Sequence, residues 1–146
     1  MKCYLIYYFA KKTALCEKAL KTELSGCGVS IMKILGAADP EYLGNMMTDG
    51  LNHCNIVITV GGLNSSGDIS LEKTLSSAVE KAGGTMDDVQ KLPYGKNHDK
   101  FGYIIERGSQ CIVALPDSPE GISELFDQPL SKYFEEKVKA AENKKA

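Results

Sequence analysis

A three-layer α/β/α domain built on a mostly parallel sheet is predicted for this 146-residue chain by three features of its sequence. Apolar, β-prone runs stand at 4–9, 29–35 and 55–60, each is followed by a segment with apolar residues at helical spacing, and the two kinds alternate through the first 84 residues. Parallel strands joined by helices make right-handed crossovers, so the alternation reads as a doubly wound sheet.

Tyr4 to Phe9 is an almost unbroken apolar and aromatic run, as expected of a strand covered on both faces. From Thr13 to Ser25, Ala14, Leu15, Ala19, Leu20 and Leu24 recur at helical spacing, and Gly26 and Gly28 supply the stop. Val29 to Leu35 is the second strand. Asp39-Pro40 then offers an N-cap with proline at the first helical position, opening a helix through Leu43, Met46, Met47 and Leu51. Asn55 to Val60 is rich in β-branched residues and stops at Gly61-Gly62, and a helix is expected over Ser70 to Lys81. The stretch from Thr85 to Lys100, with Asp87-Asp88, Pro93 and Gly95, reads as a connecting loop. Phe101 to Glu106 and Cys111 to Leu115 flank Arg107-Gly108-Ser109-Gln110 and suit an antiparallel hairpin. Pro119 starts a helix, Pro129 is expected to break it, and a last helix from Leu130 runs out into a solvated Lys/Glu/Ala tail. One domain over 1–130 and a C-terminal helix and charged tail over 131–146 are the expected organisation.

At this length folding buries roughly 68 to 70% of the unfolded chain's surface, so neither disulfides nor a structural metal are needed. Seventeen basic against 19 acidic residues give a formal charge of -2, too little positive field to hold a nucleic-acid backbone. Cys3, Cys16, Cys27, Cys54 and Cys111 form no C-x-x-C pair and are expected as small buried hydrophobes in a cytoplasmic, reducing setting. No apolar run reaches the roughly 20 residues of a membrane span. His53 ends a helix and His98 lies in a polar connection, neither beside a nucleophile motif. Of Tyr4, Tyr7, Tyr8 and Phe9, which can stack a base, the strand itself asks for burial.

The leading site candidate is the loop from Gly61 to Asp68, because α/β sheets bind ligands at the carboxyl ends of parallel strands. Gly61, Gly62 and Gly67 let a ligand approach the backbone, Ser65 and Ser66 offer hydroxyls, and the next helix aims N–H groups at the loop, a setting for phosphate. Asp39 and Asp68 each stand between a strand and a helix, as bases or metal ligands or as helix caps. Glu72, in the first turn of the expected helix, either holds Mg2+ with Asp68 or complements the helix dipole.

Two segments carry a family resemblance: N-I-V-I-T-V-G-G-L-N-S-S-G-D-I-S-L-E at 55–72 and F-G-Y-I-I-E-R-G-S-Q-C-I-V-A-L-P-D-S-P-E at 101–120. With them the chain, from about Met1 to Phe126, resembles the molybdopterin-binding domain shared by molybdenum-cofactor biosynthesis proteins and the CinA family. The family's T-G-G turn, following Asp and Thr-x-Glu correspond to Gly61, Gly62, Asp68, Ser70 and Glu72, its earlier Asp to Asp39, and its L-P-G-x-P turn to Leu115, Pro116, Asp117, Ser118 and Pro119. The departures are Val60 for Thr, Asn64 and Asp117 where glycines are usual, and Ala10-Lys11-Lys12-Thr13 in place of an acidic or serine loop.

The resemblance implies a homo-oligomer, most often a trimer, that binds a pterin or nucleotide phosphate. It also implies either adenylation of molybdopterin with ATP and Mg2+ or hydrolysis of nucleotide pyrophosphates. Asp39 and Asp68 would then be catalytic. Asp68 and Glu72 would hold metal, and Gly61, Gly62, Asn64, Ser65, Ser66, Gly67, Ser70, Pro116, Asp117 and Ser118 would contact ligand. Asp117 brings a charge that either repels an anionic ligand or caps the helix from Pro119. The alternative function is a regulatory or scaffold domain that keeps the fold without the chemistry; a flavodoxin-like domain is a third reading, from I-Y-Y-F-A-K-K-T, whose loop lacks the serines and glycines a flavin phosphate wants. Self-association also follows from an apolar supply, Met46, Met47, Leu125 and Phe126 among it, larger than one core needs.

Overall fold

The computed structural model describes residues 1–62, 89–97 and 100–145. Its elements are β1 (Lys2–Tyr8), α1 (Thr13–Cys27), β2 (Ser30–Ala37), α2 (Pro40–His53), β3 (Ile56–Val60), β4 (Val89–Tyr94), β5 (Lys100–Arg107), β6 (Gln110–Leu115), α3 (Pro119–Leu125) and α4 (Ser131–Lys145). They form an α/β fold. The helix expected over 70–81 lies outside the described residues, as do Asn64, Ser65, Ser66, Gly67, Asp68, Ser70, Glu72 and His98.

Six strands make one mixed sheet in the order β2-β1-β3-β6-β5-β4, with β2, β1, β3 and β6 parallel and β5 antiparallel to both neighbours. Alternation along the strands builds two cores. Leu5, Ile56, Ile58, Val113 and Leu115 point to the side of α1, α3 and α4, while Tyr4, Ile6, Tyr8, Val57 and Ala114 point to the side of α2. α2 comes close enough that a Cβ on Gly50 would lie 2.8 Å from Val57 and 2.9 Å from Tyr4, so glycine sets the distance between helix and sheet. All five cysteines are buried and unpaired, as their spacing suggested.

Two expectations need correction. The segment read as a loop from Thr85 to Lys100 contains β4, an edge strand paired with β5 in which Leu92 and Tyr94 are buried and Gln90, Lys91 and Pro93 exposed. Proline is compatible with an edge because its missing N–H need not serve a second neighbour. Pro129 does not break the C-terminal helix. Residues Phe126–Leu130 form a π-helical turn, with the Ser131 N–H bonding back to Phe126 O, and this wider turn carries proline while the helix continues. The expected last helix is α4, which runs to Lys145; Phe134 is fully buried in it, and the Tyr133 hydroxyl donates to the Glu106 carboxylate on β5.

The apolar surplus taken as a sign of self-association is absorbed at home. Met46, Met47, Leu125 and Phe126 are all buried in the monomer, and the large exposed hydrophobics are instead Phe9, Leu15, Met32, Ile34 and Tyr42.

Candidate functional site

Strand order reverses between β1 and β3. From β1 the chain crosses to β2 under α1, and from β2 it crosses back to β3 under α2 on the other face. The carboxyl ends of β1 and β3 are therefore the switch point at which open α/β sheets hold ligands.

Backbone of unusual conformation collects there. Gly61 (φ +98°) and Gly62 (φ +75°) leave β3 in the left-handed region, and Phe9, directly after β1, is the only non-glycine there among the described residues, at φ +52°. Such conformations cost of order 1–3 kcal/mol each and persist where the surroundings impose them. Gly61 is held tightly: its N–H donates to Leu115 O (3.1 Å), and a Cβ would stand 2.3 Å from Tyr8 O and 3.2 Å from Ala10. The exit of β3 is thus wedged between the first strand's loop and β6.

Asp39 ends the connection from β2 beside this point and caps α2, its Oδ1 accepting the Tyr42 N–H at 2.8 Å. Its Oδ2 accepts no hydrogen bond from a described residue. Asp39→Ala is expected to lose about 1 kcal/mol of stability while Asp39→Asn, which keeps the cap, stays within a few tenths of wild type; urea unfolding of both checks this.

Pro116 is buried and Asp117 and Ser118 half-buried in the turn after β6. Ser118, not Asp117, caps α3, its Oγ accepting the Gly121 N–H at 3.1 Å. That corrects the capping reading of Asp117. The Asp117 carboxylate turns the other way, across the end of β3, and accepts Lys11 N–H (Oδ2, 2.7 Å) and Lys12 N–H (Oδ1, 3.1 Å) at the start of α1. The Cys16 thiol points at the same Oδ1 from 3.7 Å, and burial followed by the Asp117 charge pushes its pKa up to about 11. Burial does the same to Tyr7, pushed up to about 12, with Glu17, Cys16 and Asp117 adding to it. Both groups are held toward the protonated form at neutral pH.

His53 keeps to the far end of α2, where its Nδ1 lies 2.8 Å from Asp49 O and its ring stacks on Tyr4. Among the described residues no three His, Cys, Asp or Glu side chains gather to hold a metal ion, and no helix is long and apolar enough to cross a membrane.

No family model matches the sequence and no curated protein is significantly similar to it. Solved structures are. A CinA protein of Thermoplasma acidophilum, of unknown function, superposes with a TM-score of 0.68 at 15% identity over 91% of this chain and 97% of that one. The molybdopterin biosynthesis enzyme MoaB of Thermus thermophilus does so at 0.62, with 16% identity over 86% and 87%. The molybdopterin biosynthesis Mog protein of Mycobacterium ulcerans does so at 0.59, with 22% identity over 86% and 89%. The chain has the molybdopterin-binding/CinA-like fold.

Within that fold, the structure brings together Gly61, Gly62, Asp117 and the loop after β1, with Asp39 at the next strand end. From sequence Phe9 was named only as a ring able to stack a base, and Lys11 and Lys12 only as a departure from the family's loop. The main-chain donors of Lys11 and Lys12 are invisible in residue identity, and nothing about a phenylalanine announces a left-handed backbone. Of the aromatic cluster only Phe9 is exposed (43%), while Tyr4 and Tyr8 are core.

Proposed function

We propose that this protein binds molybdopterin or a related pterin or nucleotide phosphate at the carboxyl edge around Gly61 and Gly62, as part of molybdenum-cofactor biosynthesis. The observation that carries the reading is the convergence of three left-handed residues on the switch point of a sheet whose structural neighbours are named for molybdopterin biosynthesis. Gly62, next along from the wedged Gly61, carries no side chain at this edge, and Phe9 offers an exposed ring for a planar heterocycle.

Asp39, Asp68 and Glu72 are the carboxylates offered for Mg2+. Asp39 is exposed with one oxygen committed to its cap, which leaves Oδ2 for a metal or a proton. Mg2+ would supply charge neutralisation for a phosphoryl group, and this chain's part is to seat the phosphate beside Gly62 and present the pterin to Phe9. Activity would be adenylyltransferase-like or pyrophosphatase-like, in a cytoplasmic homo-oligomer, with a trimer favoured.

A thermal-shift series with molybdopterin, ATP, ADP-ribose and Mg2+ tests the reading, since a ligand at 100 times its Kd adds about 2.7 kcal/mol to stability. Stabilisation by molybdopterin or a nucleotide, strengthened by Mg2+, is the expected result. A flat response to all of them favours a scaffold or regulatory domain instead. That second reading has an observation of its own: Asp117 spends its carboxylate on the protein's own loop.

A further inference from the structure

β2 is an edge strand of the sheet, and its pairing with β1 slips once. Cys3 lies opposite Ile31 and Tyr4 opposite Lys33, so Met32 is the extra residue of a bulge, a device that re-aims a side chain. Ile31 packs on the α1 side of the sheet. Met32 and Lys33 reach the α2 side instead, where Met32 Sδ meets the Cys54 thiol and Lys33 Nζ sits over the Tyr4 ring at 5.9 Å.

The thiol is held in place by the helix that it ends. Cys54 is the C-cap of α2, with its N–H on Gly50 O at 2.7 Å, and it is buried. Its Sγ donates to Met32 Sδ at 3.6 Å. A thioether sulfur has two lone pairs, and this bond engages the one that faces the protein. The other faces water, because Met32 is 50% exposed, whereas Met46 and Met47 are buried in the α2-side core. An oxygen added to either of those would be a polar atom inside the core; on Met32 it stays in solvent.

Reactivity divides the two sulfurs in the same direction. A thioether has no proton to lose before it is oxidised, whereas a thiol reacts as its thiolate. Burial pushes the Cys54 thiol up, against a smaller opposing effect of Lys2, and so keeps it in the donor form.

We propose that Met32 is a site of reversible, stereospecific oxidation, in which Cys54 holds the inner lone pair of the sulfur and an oxidant of the peroxide class takes the outer one. One oxygen atom moves to sulfur. An S–O bond forms, the O–O bond breaks, the thioether is oxidised to the sulfoxide, and the second peroxide oxygen leaves as water. The sulfoxide sulfur is a stereocentre, so a single open face yields one epimer. The reaction that consumes this product is reduction by a thiol-dependent sulfoxide reductase of matching hand, in which two thiols become a disulfide and the oxygen leaves as water. Met32 stands near the amino end of β2, away from the carboxyl edge, and the inference is independent of the ligand reading above.

The test treats the full chain with limiting hydrogen peroxide, locates the added oxygen by peptide mass spectrometry, and assigns the epimer with two sulfoxide reductases that each accept one hand. Met32 is expected to gain oxygen roughly tenfold faster than Met46 or Met47, and one of the two reductases to remove nearly all of it. The thiols stay titratable and the unfolding midpoint unchanged after this single oxidation. Cys54→Ala opens the inner face, so each reductase is expected to remove about half of the sulfoxide, and Cys54→Ser, which keeps a donor, restores the excess of one epimer. An even mixture of epimers in the wild type overturns the proposal without any variant, which also settles the case of a Cys54→Ala chain that does not fold. An excess that Cys54→Ala leaves unchanged overturns it, as does oxidation of Cys54 ahead of Met32.

Discussion

Gly61→Ala is expected to cost roughly 4 kcal/mol or more, at the extreme end for a single substitution, and to lower Tm by about 10 °C in a chain of this size. Two independent causes add. A left-handed backbone costs an L-residue about 1–2 kcal/mol. The added methyl would also sit 2.3 Å from Tyr8 O, a backbone atom at the end of a central strand that cannot step aside without disturbing its pairing with Ala37 of β2. Gly61→Asn divides the causes, because asparagine tolerates the left-handed region yet brings the same Cβ. Equal damage from both substitutions, read by circular dichroism during thermal unfolding, marks the close approach as decisive. A loss under about 1 kcal/mol from alanine would show that the first strand's loop is free to move off the glycine.

Phe126→Ala and Phe134→Ala are each expected to destabilise by about 3–5 kcal/mol, the range for emptying a fully buried aromatic site. Both rings are completely buried and stack at 5.7 Å between centroids with 19° between planes, one in the π-helical turn and one on α4. Their pairing should appear as about 0.5–1.5 kcal/mol of coupling in a double-mutant cycle by urea unfolding. The Phe134 result carries more weight for the fold. A small loss there would mean that the C-terminal helix is an appendage, whereas it packs on α1 and completes that side of the core.

The central strands were legible because their residues say both what they are and where they stop. Asn55 to Val60 is β-branched and closes on two glycines; the structure's β3 is Ile56–Val60, buried throughout. Capping chemistry was equally readable at Asp39-Pro40. β4 was not, because a strand at an edge shows solvent much of its length, and Gln90, Lys91 and Pro93 dilute the apolar signal of Leu92 and Tyr94. Pro129 misled for a related reason: its steric rule is written for an α-helical turn, and a π-turn relaxes it. At the candidate site, glycine content located the edge, but Asp117 was placed correctly in its turn and wrongly in its bonding. The carboxylate's partners are main-chain N–H groups more than a hundred residues away, and no local pattern encodes such a pairing.

The Asp117 contact with the start of α1 also sets a timetable. Synthesis delivers the N-terminal part first, and β2, β1 and β3 can pair as soon as residue 60 is available. At that stage Gly61 has its neighbours in β1 but no Leu115 carbonyl to receive its N–H, and Lys11 and Lys12 face water. More than fifty further residues, about as many as have been made by the end of β3, must still emerge before β6 slides in beside β3 and brings Asp117 across. Contacts of such long sequence separation form late because their loop entropy is spent before they return any stability. A nascent chain would therefore carry an uncapped start of α1 until β6 docks, which makes the Asp117 contact a mark of a completed sheet.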